Sequence, residues 1–306
     1  MKKASLTVVI LTYNEKLHIA RAIECVSNIA ERIVVVDSFS KDGTNEIAQY
    51  YNVGFYQREF VNQAEQFNWA LDNCGIDTEW VLRLDADEVL GSDLIENIEK
   101  AIRVNDSCSG YIFKRKHIFL GRWIRFGGRY PVEMIRLFQF GKGRSEERWM
   151  DEHIVLSEGS SRVLEGHFED HNLNSITWFV DKHNKYATRE MLDIKLAQLN
   201  EKNELGPPNT SLSVKVKRFI KQNIYGKLPV FVRPTLYFLY RYFFQLGFLD
   251  GKEGFAYHFM QGYWYRALVD LKCLEADRVL KNCNSFEEKI EALEGLTGYS
   301  LKDITK

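Results

Sequence analysis

Apolar runs and polar breaks alternate regularly through the first third of the chain. Residues 6–11 (Leu-Thr-Val-Val-Ile-Leu) form an almost unbroken apolar run, as in a strand buried on both faces. A polar turn, Thr12-Tyr13-Asn14-Glu15, follows it. Residues 18–29 place Ile19, Ala22, Ile23 and Val26 at helical spacing, which predicts an amphipathic helix. Residues 32–37 (Arg-Ile-Val-Val-Val-Asp) predict a second strand that ends in a carboxylate. Ser38 to Thr44 reads as a tight turn with Gly43 at an unusual backbone angle, and Thr44 as the cap of a helix over 45–51. A short strand at 53–56, a helix at 62–73 and a strand at 80–84 complete a βαβαβαβ pattern. That alternation predicts an α/β fold with a mostly parallel, doubly wound sheet flanked by helices.

The pattern then changes. Ser92-Asp93 caps a helix running to about Ile102. Residues 110–120 and 133–140 read as strands joined by a basic, glycine-rich loop that carries Arg122, Arg125 and Arg129. Asp151-Glu152 precedes another β-branched run, either as a solvated turn or as a general base beside the site. His167, His171 and His183 follow. The ordinary reading of each is a hydrogen-bonded structural residue, the other a metal or phosphate contact. His171 to Asn174 reads as a loop into a helix over 175–199.

Residues 205–249 contain no Asp or Glu, and all seven charged residues are basic: Lys215, Lys217, Arg218, Lys221, Lys227, Arg233 and Arg241. Aromatic residues crowd the same stretch. Arg233, Tyr237, Arg241 and Gln245 fall at i, i+4 spacing and predict one polar stripe on an otherwise apolar helix. The apolar run falls short of the roughly 20 residues that span a bilayer, so the segment is expected to lie in the membrane interface. The competing reading is a helix packed on the catalytic domain. Residues 1–200 are expected to be the catalytic domain, and 201–306 a helical, membrane-associating region.

Candidate chemistry centres on Leu84-Asp85-Ala86-Asp87-Glu88. A buried strand delivers Asp85 and Asp87 at its carboxyl end, where open α/β sheets bind ligands. A bend there would bring both carboxylates to one ion. Hard oxygen ligands at this spacing suit Mg²⁺ or Mn²⁺ shared with substrate phosphates. The bland alternative is a polar loop after a core strand. A nicotinamide-binding Rossmann domain fits poorly, because the first turn lacks the glycines that admit a pyrophosphate. The net charge of −1 gives no general pull toward nucleic acid, and no binding motif appears. Five scattered cysteines with no Cys-x-x-Cys pair indicate reduced thiols and a cytoplasmic setting. The apolar N-terminal run reads as a first strand rather than a leader.

Three stretches taken together resemble family 2 glycosyltransferases of the GT-A fold: Val8-Val-Ile-Leu-Thr-Tyr-Asn-Glu15, Val35-Val-Asp-Ser-Phe-Ser-Lys-Asp-Gly-Thr44 and Leu84-Asp-Ala-Asp-Glu88. Gln66 to Leu71, Lys182 to Tyr186 and Gly247 to Gly254 are similar to the bacterial β-1,4-glucosyltransferase group of lipopolysaccharide-core and related glycan assembly. The resemblance implies an inverting transfer of a hexose, glucose from UDP-glucose, onto a lipid-linked glycan acceptor at the cytoplasmic face of the inner membrane. It further implies a nucleotide-sugar pocket lined by Thr12, Tyr13, Glu15, Asp37, Ser38, Gln66, Asp85 and Ala86. Asp85 and Asp87 would hold the Mg²⁺ or Mn²⁺, the second aspartate directly. The family's base is the aspartate of a Glu-Asp pair. Here the order is Asp151-Glu152, which leaves either residue as the base, Asp151 first. Two rival readings are a sugar-nucleotide pyrophosphorylase, which needs a basic glycine-rich loop after strand one, and a catalytically inactive membrane-binding scaffold.

Overall fold

In the computed structural model, which describes residues 5–103, 108–146, 153–200 and 229–301, the first four strands fall where the pattern places them. They are β1 (Leu6–Thr12), β2 (Arg32–Asp37), β3 (Gly54–Gln57) and β4 (Trp80–Asp85). They pair in parallel in the order β3-β2-β1-β4. Helices α1 (Ile19–Val26), α2 (Thr44–Tyr50) and α3 (Gln63–Asn73) make the crossovers that parallel strands require. The period-2 alternation of each strand feeds two cores. Val8, Ile10, Leu82 and Leu84 pack with Ile19, Ala22, Ile23 and Val26 of α1. Val9, Val34, Val36 and Val81 pack with Phe67, Ala70 and Leu71 of α3. Full burial of each large apolar side chain contributes about 1.5–3 kcal/mol, so this half of the sheet is firmly specified.

Beyond β4 the sheet becomes mixed. The further elements are β5 (Glu88–Leu90), α4 (Ser92–Ala101), β6 (Cys108–Phe119), β7 (Arg122–Ile124) and β8 (Val132–Gln139). Then come β9 (Gly143–Ser145), β10 (Ile154–Leu156), β11 (Ser160–Val163) and β12 (Phe168–His171). The sheet continues from β4 through β8, β6 and β12 to β5. β8 runs antiparallel to both β4 and β6, while β12 is parallel to β6 and antiparallel to β5. The physical reason is the connection between β6 and β8. It holds no helix, and its β7 folds back on β6, so only an antiparallel return is open to it. Residues 168–171, which the periodicity assigns to no element, are a strand between β6 and β5, and the expected loop runs from its last residue, His171, through Asn174 into the next helix.

The chain divides into two compact units, Met1–Asn174 and Ser175–Lys306. The boundary therefore precedes the long helix α5 (Ile176–Asn200) rather than following it. The cause is packing: Met191, Leu192 and Leu196 share a core with Ala276, Ile290, Leu293 and Leu301 of the second unit. That unit also contains α6 (Val232–Leu239), a π-helical turn Tyr240–Phe244, a 3₁₀ turn Gly247–Asp250 and α7 (Gly251–Tyr257). A π-helical turn His258–Trp264, α8 (Tyr265–Leu280) and α9 (Phe286–Thr297) follow. Among the described residues no helix is long and apolar enough to cross a membrane. The polar stripe turns into its own unit. Arg233 pairs with Asp270 of α8, and Arg241 is only 5 % exposed with its guanidinium over the Tyr237 ring. The part of the basic stretch at 201–228 lies outside the described residues.

Candidate active site

The parallel register aligns the carboxyl ends of β1, β2 and β4. Thr12 pairs with Asp37, and Leu11 with Asp85. The site therefore gathers at one edge of the sheet, where an open α/β sheet binds its ligand.

Two loops at that edge are stitched together by local polar groups. Asp37 is fully buried; Thr12 Oγ1 donates to it at 2.9 Å, the Ser40 amide at 2.8 Å and Gln57 Nε2 at 3.3 Å. In the loop after β1, the Asn14 amide donates to Ser40 Oγ at 2.7 Å, and Asn14 Oδ1 accepts from the Lys41 amide at 2.9 Å. The Lys16 amide donates to Asp42 Oδ2 at 3.0 Å. The Glu15 amide donates to Thr44 Oγ1 at 2.9 Å, and Thr44 in turn donates to Asp42 at 2.6 Å. Burial opposes the Asp42 charge, but these donors outweigh it and hold its carboxyl below the usual carboxylate value. Thr44 therefore ties the two loops instead of capping α2. The cap is Gly43, with φ of 98°, a conformation glycine adopts without a Cβ clash.

The expected pocket residues fall into two groups. Tyr13 is 61 % exposed at the loop tip and presents its ring to solvent. Ser38 Oγ accepts from the buried Gln66 Nε2 at 3.3 Å, which places the two side by side. Glu15 turns toward His18, with Oε2 at 2.6 Å from Nδ1. The Leu173 amide donates to His18 Nε2 at 2.8 Å, so the proton of the neutral ring sits on Nδ1 and points to Glu15. Glu15 thereby links the first loop to the segment after β12.

Asp85 is the last residue of β4, Ala86 is buried beneath the turn, and Glu88 opens β5. The Asp85 side chain is 29 % exposed. Arg136 of β8 places Nη2 3.2 Å from Asp85 Oδ2 and 2.5 Å from Glu88 Oε1. Arg83 approaches the other Asp85 oxygen at 3.6 Å. Burial works against the Asp85 charge, yet the Arg136 and Arg83 guanidiniums outweigh it and hold its carboxyl below the ordinary value. Glu88 behaves oppositely. Burial pushes it up to about 8, since Arg136 is shared with Asp85 and Asp85 repels a second negative charge. Asp87 Oδ2 accepts from Asn172 Nδ2 at 2.9 Å, and the Asp87 carbonyl accepts from the His171 amide at 3.0 Å. Asp170 of β12 completes the cluster, 3.1 Å from His117 Nδ1 and 3.7 Å from Arg115. Burial is again outweighed, here by His117 with Arg115 and Arg129, and Asp170 is held far below the carboxylate range.

Among the described residues no group of three or more His, Cys, Asp or Glu side chains could hold a metal ion by itself. The donor chemistry nevertheless fits a hard divalent ion that takes one or two carboxylates and completes its shell from substrate phosphates and water. With both Asp85 oxygens facing arginines, Asp87 is the carboxylate that could hold such an ion directly. Two of the three histidines make side-chain contacts of the ordinary structural kind, while His171 is held through its backbone. His167 lies against Lys116, which with burial lowers its pKa. The His171 carbonyl accepts from Arg21 at 2.8 Å, and His183 donates to the Phe179 carbonyl at 2.7 Å. Asp151 and Glu152, the expected base, lie outside the described residues. Arg136 and Asp170 were not singled out from the sequence, and Glu88 entered only as the end of the acidic motif, with no role of its own. A lone arginine inside the apolar run Met134-Ile-Arg-Leu-Phe138 was the available signal for the first.

Residues 7–154 match the model of Glycosyl transferase family 2. That stretch, just under half of the chain, is thus a glycosyltransferase family 2 domain. Its sheet, four parallel strands continued by a mixed half, is the GT-A type expected for that family. The lipopolysaccharide core biosynthesis glycosyltransferase LpsC of Rhizobium meliloti is 26 % identical over 274 residues, 84 % of this chain and 90 % of LpsC. The glycosyltransferase RT0209 of Rickettsia typhi is 39 % identical over 99 residues, but the match covers only 32 % of each chain. Glucosyl-3-phosphoglycerate synthase from Mycobacterium tuberculosis, solved with Mn²⁺ and UDP, overlaps 38 % of this chain and 44 % of its own. Its TM-score is 0.32 and its identity 17 %.

Proposed function

We propose that this family 2 enzyme is a metal-assisted, inverting glycosyltransferase that moves a hexose from a UDP-sugar, glucose foremost, onto a hydroxyl of a lipid-linked glycan. The acceptor class is a lipopolysaccharide core or a polyprenyl-diphosphate oligosaccharide, met at the cytoplasmic face of the inner membrane. The observation that carries the reading is the alignment of Thr12, Asp37 and Asp85 at one sheet edge, with Asp87 in the turn beyond. The similarity to LpsC over most of both chains supports the choice of acceptor.

Each part of the site has a task in this reading. The stitched loops after β1 and β2 form a rigid rim for the nucleoside, with the Tyr13 ring exposed for stacking and Asp37 fixing the rim from beneath. Ser38, Gln66 and Ala86 line its floor. Asp87, with Asp85 beside it, holds Mg²⁺ or Mn²⁺, which when bound neutralises the departing nucleoside diphosphate. Arg83 and Arg136 hold Asp85 ionised and fixed in place. Asp151 or Glu152 takes the proton from the acceptor hydroxyl as it attacks the anomeric carbon from the face opposite the leaving group. General-base assistance is worth about 10²–10⁴-fold.

The test is product stereochemistry together with UDP release. Incubation with UDP-glucose and a lipid-linked acceptor should give a β-linked hexose, read by NMR of the anomeric proton. Asp151→Asn or Glu152→Gln should cut turnover by about 10²–10⁴-fold while UDP binding persists. An α-linked product would overturn the single-displacement mechanism.

A further inference from the structure

Within the helical unit, α6 and the π-helical turn after it place their cations inward and a row of large apolar side chains outward. On α6 and the π-helical turn after it, Arg233 reaches Asp270 and Arg241 lies over Tyr237, as does Arg266 of α8, 4.2 Å from that ring. These cations are thus held inside the unit, and the two near Tyr237 stabilise its ionised form against burial, lowering its pKa. Outward, Leu236, Leu239, Tyr240, Phe243, Phe244 and Phe248 are all exposed, Phe244 to 80 %. The outward aromatics are held in place by ring contacts. Tyr240 stacks on Phe244, and Tyr242 supports Phe243 and Phe248 edge-on. A contiguous exposed apolar face of this kind marks an interaction surface.

We infer that this face is a lipid-contact surface that enters the headgroup–acyl boundary of an anionic bilayer. Three observations select a bilayer over a second copy of the chain. The face is dominated by Phe and Tyr, the residues whose rings suit the membrane interface. No described helix can cross the membrane, so the face lies in the interface and does not span it. Apart from the inward Arg233 and Arg241, the sequence leading to this face, 205–228, has five basic residues and no acidic one, a charge balance complementary to anionic lipid and repulsive toward a second copy of itself. The inward Arg233 and Arg241 also change the expected binding mode. Anchoring by this surface is apolar, so it resists salt in a way that lysine–headgroup attraction does not.

Flotation of the full-length protein with vesicles tests this. Vesicles of phosphatidylcholine and phosphatidylglycerol in equal parts, and of phosphatidylcholine alone, are used at low and high salt. The protein should bind the anionic vesicles and keep a measurable share of that binding at high salt. Phe243→Ser and Phe244→Ser should each lower the salt-resistant partition about tenfold while lowering the melting temperature less than Arg233→Gln does, because both rings are more than half exposed. Arg233→Gln should lower the melting temperature instead. Salt-resistant binding unaffected by the Phe substitutions would overturn the inference. So would no vesicle binding, or a dimer in light scattering that the same substitutions dissociate. The lipid-linked acceptor rests on the proposed transferase reading, but the surface does not. Asp87→Ala should bind vesicles like the wild type, so failure of either claim is seen separately.

Discussion

Arg136 and Glu88 decide how the site is held at the level of single residues. Arg136 is buried and bridges Asp85 and Glu88, with its guanidinium 5.4 Å above the Phe168 ring. Removing one partner of a buried ion pair leaves uncompensated charge and costs about 3–5 kcal/mol. Arg136→Met should therefore lose about that much stability in urea denaturation, and Arg136→Lys less, since it keeps the charge but not the two-pronged geometry. Glu88 gives a pH signature. Its pKa rises from 4.5 in the unfolded chain to about 8 in the fold, so between those values the folded state binds more protons than the unfolded state. Its stabilising contribution is fully present below about pH 4.5 and is lost as pH rises through about 8, by up to about 1.4 kcal/mol per pH unit. Glu88→Gln should flatten the decline in melting temperature across that window. An equal decline in wild type and variant would place the titrating group elsewhere. Neither role was legible in the sequence, because a buried arginine acquires its meaning from the strands that meet it. β5 and β12, only three and four residues long, are too short to show a period.

At the level of elements, the loops after β1 and β2 act as one unit joined through Thr44. Thr44→Val keeps the shape of the side chain but leaves the Glu15 amide without its acceptor and removes one of the two donors to Asp42 Oδ1. A buried donor left unsatisfied costs about 1–3 kcal/mol. The variant should lose about that much stability and bind UDP more weakly in calorimetry, while Thr297→Val, on α9, should leave UDP affinity unchanged. The strand-turn-helix rhythm made these loops legible in advance, including Gly43 and its unusual angle. The role of Thr44 was less so, since a threonine before a helix reads as a cap whether or not its hydroxyl is needed elsewhere. The helix over 62–73 was also placed by pattern; Asn62 caps it by accepting from the Glu65 amide at 2.8 Å.

For the whole molecule, the parallel half of the sheet and the position of Asp85 and Asp87 follow from buried β-branched runs with polar ends. The mixed half does not, because strand direction there is set by the absence of a crossover helix and not by composition. The polar stripe of Arg233, Tyr237 and Arg241 was legible as a stripe, but periodicity does not say which way a stripe points. Asp270, on a helix more than one turn of chain away, supplies the direction. The central claim is that Asp87, with Asp85 behind it, makes nucleotide-sugar binding depend on a divalent ion. Thermal shift of the protein with UDP-glucose and other nucleotide sugars, with Mn²⁺, with Mg²⁺ and with chelator, tests it most directly. A ligand that binds only the folded state raises the melting temperature. A UDP-sugar should raise it with either ion, lose the effect with chelator, and lose it again in Asp87→Ala. Stabilisation by a UDP-sugar that survives both chelator and Asp87→Ala would contradict the account.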